Sequence, residues 1–181
     1  MHHGRLALSF VGTVGDRGSL QTERLTTPRV LGRWLRTADL CERDAVPSPA
    51  LYGRALILRE AIARSVAAVI AARGPAPEDI EIINDCATRL APRPTLDPTT
   101  LALAGGRRGP VGAALGRIAI DAIEMFANPG ERARLRACGL EACGAMFLTP
   151  AGHRERRWCS MARCGNRAKV TAFRRRTIAN T

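Results

Sequence analysis

The stretch Cys138-Gly-Leu-Glu-Ala-Cys143 is followed, after fifteen intervening residues, by Cys159-Ser-Met-Ala-Arg-Cys164-Gly165-Asn166-Arg167. Two cysteine pairs, each enclosing four residues, stand at matched spacing. Four thiolates suit zinc, which takes sulfur and nitrogen ligands at the corners of a tetrahedron; a spacer of four sits at the long edge of the usual range. Gly139 and Gly144 at the ends of the first pair allow the tight loop that wraps an ion. The pattern predicts one structural zinc held by Cys138, Cys143, Cys159 and Cys164. A closed shell has no place for water or substrate, and no Glu stands where it would act as a base, so no catalytic residue is assigned. A module of ~45 residues buries little apolar surface, and the metal would staple it.

Outward from the cysteines, Ala145-Met146-Phe147-Leu148 reads as a strand, Pro150 to His153 as a turn and Arg156-Arg157-Trp158 as the return strand. After Cys164 the sequence turns helical, with Val170 and Phe173 expected to face inward. Knuckle, hairpin and helix together make a treble-clef-like arrangement, and the helix start favours thiolate at Cys164. His153 reads as a turn residue, because four cysteines complete the shell. Trp158 serves either as packing against the knuckle or as a base-stacking platform. Asn166 serves either to cap backbone donors or to touch a base.

Charge points the same way. The chain carries +12 overall, and its last 51 residues hold twelve Lys or Arg against Glu131, Glu141 and Glu155, a net +9. Such asymmetry is the electrostatic footprint of a polyanion partner. Arg156, Arg157, Arg163, Arg167, Lys169, Arg174, Arg175 and Arg176 are the candidate nucleic-acid contacts, since arginine suits both phosphate and guanine. DNA is the expected partner. RNA or a protein remains the alternative, and a homodimer would raise the affinity of one small finger.

The remaining sequence sets the frame. A chain of 181 residues with 46% hydrophobic content can bury a core and append a small module. Aromatics are scarce at 4%, and Ala, Leu and Ile fill the apolar positions, which favours packed helices over a large sheet. No run approaches the ~20 apolar residues of a membrane span, and the N-terminus lacks a secretory signal, so the expected location is the cytoplasm. There cysteines stay reduced, and six of them read as four ligands plus two thiols, Cys41 and Cys86, behaving as small buried hydrophobes.

Along the chain, Arg5 to Val14 alternates loosely and reads as a strand ending at the turn Gly15-Asp16-Arg17-Gly18. Pro28 opens a helix through Leu40. Residues 50–73 carry Leu51, Ala55, Leu58, Ile62, Val66, Val69 and Ile70 at helical intervals, the strongest such signal in the chain. Pro77-Glu78-Asp79 starts another helix, with acids suited to its dipole. Thr95-Leu96-Asp97 and Leu101 to Ala104 read as a short hairpin. Val111, Leu115, Ile118, Ala122 and Phe126 form a further amphipathic helix, ended by Asn128-Pro129-Gly130. The expected fold is mostly α within an α+β class. A helical domain with a short strand or hairpin occupies 1–130, and a small treble-clef-like finger occupies 131–181. Thr13, Asp16 and Arg24 are the candidate lining of an effector pocket, with an ordinary surface turn bearing a salt bridge as the competing reading of Asp16 to Gly18. No Ser-His-Asp set, phosphate loop or carboxylate pair stands out, so nothing positive supports an enzyme.

Arg157-Trp158-Cys159-Ser160-Met161, then Cys164-Gly165-Asn166-Arg167-Ala168-Lys169, resembles the CGNR zinc finger family, and Cys138, Cys143 and Phe147-Leu148 fit its pattern. The resemblance implies zinc ligation by the four cysteines and a DNA-binding role. In that family the finger commonly follows a helical ABATE-type domain, linked to stress-induced transcription regulators. Phe10-Val11-Gly12-Thr13-Val14, Glu23-Arg24-Leu25, Pro28 and Trp34-Leu35 resemble the start of that domain. Two departures stand out. Gly12 replaces the family's usual Asn, and Thr149-Pro150 replaces the usual acidic residue after Phe-Leu.

Overall fold

The computed structural model describes residues 4–41, 45–90, 95–101, 103–104, 109–152 and 156–179. Helices dominate: α1 (Leu6–Val11), α2 (Pro28–Thr37), α3 (Pro49–Ile70), α4 (Pro77–Leu90), α5 (Val111–Ala127), the single turn α6 (Pro129–Arg132) and α7 (Asn166–Ala179). Three two-stranded antiparallel ribbons complete it: β1 (Val14–Gly15) with β2 (Thr22–Glu23), β3 (Thr95–Leu96) with β4 (Leu103–Ala104), and β5 (Leu135–Ala137) with β6 (Met146–Leu148). The mostly helical class, the four helices after residue 28 and the Thr95–Ala104 hairpin are as the sequence predicts.

The helix starts follow their capping chemistry. Thr27 and Ser48 each accept the amide of the residue three further on, Val30 and Leu51, at 3.3 Å, and each is followed by a proline whose missing N–H costs nothing there. Asn128 ends α5 and accepts the Glu131 amide to begin α6. The buried stripe of α3, Ala55, Leu58, Ile62 and Val66, packs with Leu115, Ile118 and Ala122 of α5 and Ile83 of α4 into one core. Arg64 of α3 clamps the buried carboxylate of Asp79 on α4 at 2.5–3.1 Å.

The first segment departs from expectation. Residues 6–11 form a helix, not a strand, and only Val14–Gly15 is extended. Ala7, Leu8, Phe10 and Val11 are all buried, a spacing that satisfies one helical face as well as a loose alternation. A carboxylate from elsewhere favours the helix: Asp121 of α5 accepts the Ala7 amide at 2.8 Å, placing negative charge at the helix start. Arg5, beside it, pairs with Asp121, Glu124 and Glu131.

The second departure lies in the cysteine region. β6 pairs with β5, in the register Leu135↔Leu148, Arg136↔Phe147, Ala137↔Met146, and not with Arg156 to Trp158. The first cysteine pair therefore caps a hairpin built from residues before and after it. Alternation explains the pairing. Leu135 and Leu148 enter the main helical core, with Met146 packed against it, while Phe147 faces the cysteines. A partner strand at 156–158 could not have supplied that body-facing leucine.

Candidate metal centre and its surroundings

Cys138 leaves the end of β5, and Cys143 closes a 3-10 turn at Glu141–Cys143. Cys159 stands just before, and Cys164 within, a widened turn at Met161–Gly165 that leads into α7. The hairpin and the returning chain meet where the Gly139 amide donates to the Arg157 carbonyl at 2.8 Å. All four sulfurs lie within 4.8 Å of one another; Cys143 to Cys159 is 3.7 Å and Cys159 to Cys164 is 3.5 Å. A tetrahedron with Zn–S of ~2.3 Å has sulfur edges of about 3.8 Å, whereas a disulfide needs about 2.05 Å. The cluster fits one zinc and no disulfide, and all six cysteines are free thiols.

Electrostatics make the same point. Despite burial, which opposes charge, the Cys138 thiol sits below its ordinary range because the amides of Cys159 and Leu140 donate to it. Burial, the largest cause for both, pushes Cys159 well up and Cys164 to about 11; the Cys164 hydrogen bond and the Cys138 charge raise Cys159 further, while Cys164 is lowered by its hydrogen bond with Cys159 and raised by those with Cys143 and Cys138. The helix start does not by itself hold Cys164 as thiolate. Four sulfurs this close, three of them buried and Cys143 half-buried, can share negative charge only beside a cation. Zinc would supply that charge, and Cys138, Cys143, Cys159 and Cys164 would hold it as a closed tetrathiolate with a structural role.

Around the cluster the small apolar shell is Phe147, Leu140, Ala145 and Trp158. Trp158 packs against the knuckle, and the Arg157 guanidinium lies 4.7 Å over its ring. Arg156 is committed to the fold: it donates to the carbonyls of Trp158 (3.0 Å) and Cys159 and lies 4.8 Å over Phe147. Asn166 is not the backbone cap. Its side-chain amide donates to the Ala162 carbonyl at 3.2 Å, while Ser160 accepts the Arg163 amide.

Val170 and Phe173 do not face inward; they stay 49% and 71% exposed. The finger's interior is already filled by three buried cysteines and Phe147, and neither side chain is part of that cluster. Along α7, Arg167, Lys169 and Arg174 are exposed and pair with no acid among the described residues, and Arg163 is exposed at its approach. The side chains of Arg175 and Arg176, and the whole of His153, lie outside the described residues.

The helical body grips the knuckle. The turn between β1 and β2 lies against it: the Arg17 amide donates to the Cys143 carbonyl at 3.1 Å and Ser19 Oγ to the Ala142 carbonyl at 3.1 Å. Gly18 is required by proximity, since a Cβ there would stand 1.8 Å from the Glu141 carbonyl oxygen. Gly144 faces it with φ of +56°, the left-handed region that glycine adopts without strain.

Behind that turn lies a charge cluster that sequence reasoning missed. Arg59, 4% exposed, donates to both Glu23 oxygens (2.8 and 2.6 Å), to Glu60 (2.8 Å) and to Thr13 Oγ1 (3.2 Å). Arg17 binds Glu60 from the other side at 2.7 and 3.0 Å. The signal was present: Arg59 is four residues after Ala55 and three before Ile62, on the stripe that should be apolar. Of the expected effector residues, Thr13 and Arg24 line one cleft together; Asp16 stands in the turn with φ of 47° and does not. Cys41 and Cys86 are buried, and burial raises the Cys86 thiol.

A compact helical body closed by a tetrathiolate knuckle defines the class: a zinc-finger protein with an N-terminal helical domain. Comparison with known families agrees. The model of the ABATE family, described as a putative stress-induced transcription regulator, matches residues 4–129, and the CGNR zinc finger model matches residues 134–177. The chain belongs to the ABATE family and carries a CGNR zinc finger. Neither family is described as an enzyme. No curated protein matches the chain. Among the described residues no helix is long and apolar enough to cross a membrane.

Proposed function

We propose that this protein is a DNA-binding transcription regulator, in which residues 131–181 form the reader and residues 1–130 a regulatory domain. The observation that carries this reading is the contrast in how arginines are used. In the helical body six arginines, Arg5, Arg17, Arg54, Arg59, Arg64 and Arg89, each pair with a carboxylate; among the exceptions are Arg24 and Arg33, at a cleft. On α7, Arg167, Lys169 and Arg174 are exposed and have no carboxylate partner among the described residues. Unmatched cations on a projecting helix suit a row of phosphates, whose counterions they release. The zinc acts as a clamp: it fixes the turn from which α7 departs and does no chemistry on a ligand. Arg157 and Arg163 extend the cationic surface, whereas Arg156 supports it from within; Arg175 and Arg176 are further candidate contacts by their sequence alone.

Fluorescence anisotropy on duplex DNA and on structured RNA, across a salt series, tests this. Duplex binding should weaken with a log–log slope of about −0.9 per phosphate contacted. Replacing Arg167, Lys169 and Arg174 together by Ala should reduce that slope by about 2–3. Absence of duplex binding at low salt overturns the proposal, and a preference for structured RNA moves the assignment to RNA.

A further inference from the structure

A cleft of about 350 Å³ opens between the end of α1, the β1–β2 ribbon and α2, lined by Ser9, Gly12, Thr13, Arg24, Leu25, Val30, Arg33, Trp34 and Thr37. Its chemistry is one-sided. None of these residues is acidic. The three hydroxyls have spent their hydrogens on backbone carbonyls: Ser9 on Arg5 (3.0 Å), Thr13 on Phe10 (2.6 Å) and Thr37 on Arg33 (2.9 Å). The donors that remain are the guanidinium groups of Arg24 and Arg33 and the indole N–H of Trp34. None of the three has an acceptor or carboxylate partner among the described residues. The nearest acid in sequence, Glu23, is engaged by Arg59. Leu25 and Val30 supply apolar wall, and Trp34 is held by its ring contact with Phe10 at 5.1 Å.

We infer that this cleft binds a small organic anion, its carboxylate taken by Arg24 and Arg33 and its apolar body laid against Trp34, Leu25 and Val30. Two guanidinium forks and an indole donor match the lone pairs of a carboxylate. The apolar wall distinguishes an organic acid from a bare inorganic ion. The site's position gives it a consequence. Arg24 covers Gly15 at the start of the turn, and that turn carries Arg17, which holds the Cys143 carbonyl. An occupant that ties Arg24 to α2 braces the ribbon that grips the finger. This inference does not depend on what α7 binds.

The test uses the full, zinc-loaded chain, isotopically labelled, and follows the Trp34 indole and Gly12 amide signals by NMR. The probes are benzoate, its neutral counterpart benzamide, and inorganic phosphate. Benzoate should shift both signals saturably, and benzamide and phosphate should bind at least about tenfold more weakly. Arg24→Ala and Arg33→Ala change exposed side chains, so the fold should persist, which circular dichroism checks; each should weaken benzoate about tenfold or more. Retention of part of the affinity by Arg24→Lys would support a charge contact. No saturable shift, equal binding of benzamide, or unchanged binding by both alanine variants overturns the inference. Phosphate binding as tightly as benzoate overturns the organic part of it.

Discussion

The molecule has two interiors that are held together differently. The helical body buries a continuous set of aliphatic side chains from α1, α2, α3, α4 and α5, among them Leu8, Leu31, Leu35, Leu58, Ile62, Leu115 and Ile118. At about 1.5–3 kcal/mol for each large side chain, such a core outweighs the entropy of ordering its helices. The finger's interior holds Cys138, Phe147, Cys159 and Cys164, with one large apolar side chain fully buried. Hydrophobic burial alone cannot fold it. What replaces burial is coordination within the cluster and attachment to the body, through Leu135 and Leu148 on one side and the Gly18 turn on the other. One interior is self-sufficient and the other is borrowed, from an ion and from its neighbour.

The sharpest way to break that comparison is to remove the ion. Elemental analysis should give one zinc per chain. Chelation, or Cys159→Ser, should collapse amide protection from Cys138 to Gly165 while the α3 and α5 signals persist, because structural zinc supplies folding free energy outright. Simultaneous loss of both regions would mean that the body also depends on the metal. Next in size is Arg59→Ala, which strips Glu23 of its bidentate partner and Glu60 of one of two. Removing one partner of a buried pair costs about 3–5 kcal/mol. The loss should appear in denaturant midpoints of the body, with Glu23→Gln in the same chain restoring part of it. A change below ~1 kcal/mol would show that water reaches the cluster and screens it.

How far the sequence reveals all this differs between the two interiors. The long helices were readable because α3 and α5 repeat apolar residues over several turns, and because α2 and α3 start at prolines behind the capping residues Thr27 and Ser48. The four cysteines were readable because their chemistry is tied to residue type and spacing. What escaped depends on contacts distant in sequence. Residues 6–11 are too short for period to separate helix from strand, and the decision comes from Asp121, 114 positions away. β5 has only Leu135-Arg136-Ala137, and its role is set by the Leu135 pocket in the body. Val170 and Phe173 look like a packing face, but both stay exposed, because the finger's interior is filled by Cys138, Cys159, Cys164 and Phe147. Arg59 was visible as a charge on an apolar stripe, yet its partners on β2 and at position 17 were not.

A smaller change probes attachment itself. Gly18→Ala places a methyl against the Glu141 carbonyl, and the turn and knuckle must separate to admit it. Overpacking of this kind costs about 1–3 kcal/mol. The cost should fall on the contact, not on either interior: the Arg17 amide should exchange faster, while zinc content and α3 protection stay unchanged. Loss of zinc in this variant would instead make the turn part of the metal site.

The smallest effect is a pH dependence confined to the body. The Arg59 hydrogen bonds hold the Glu23 carboxyl below its ordinary range; for Glu60, burial acts upward but the Arg17 and Arg59 contacts outweigh it and hold it low as well. The unfolded chain ionises such groups near pH ~4.3. Because the folded values are lower, their stabilisation is fully present above that pH and is lost as pH falls through the folded values. Asp121 acts in the opposite sense, since burial raises its carboxyl and protonation there favours the folded state. The deficit of Glu23→Gln relative to the natural chain should therefore be largest near neutrality and shrink below pH ~4.3. Acid also strips zinc by protonating thiolates, so the measurement must follow α3 amide exchange and not the finger. A deficit that stays constant into strong acid would mean that Glu23 contributes as a neutral hydrogen-bonding group, and the charged cluster behind the knuckle would lose its electrostatic basis.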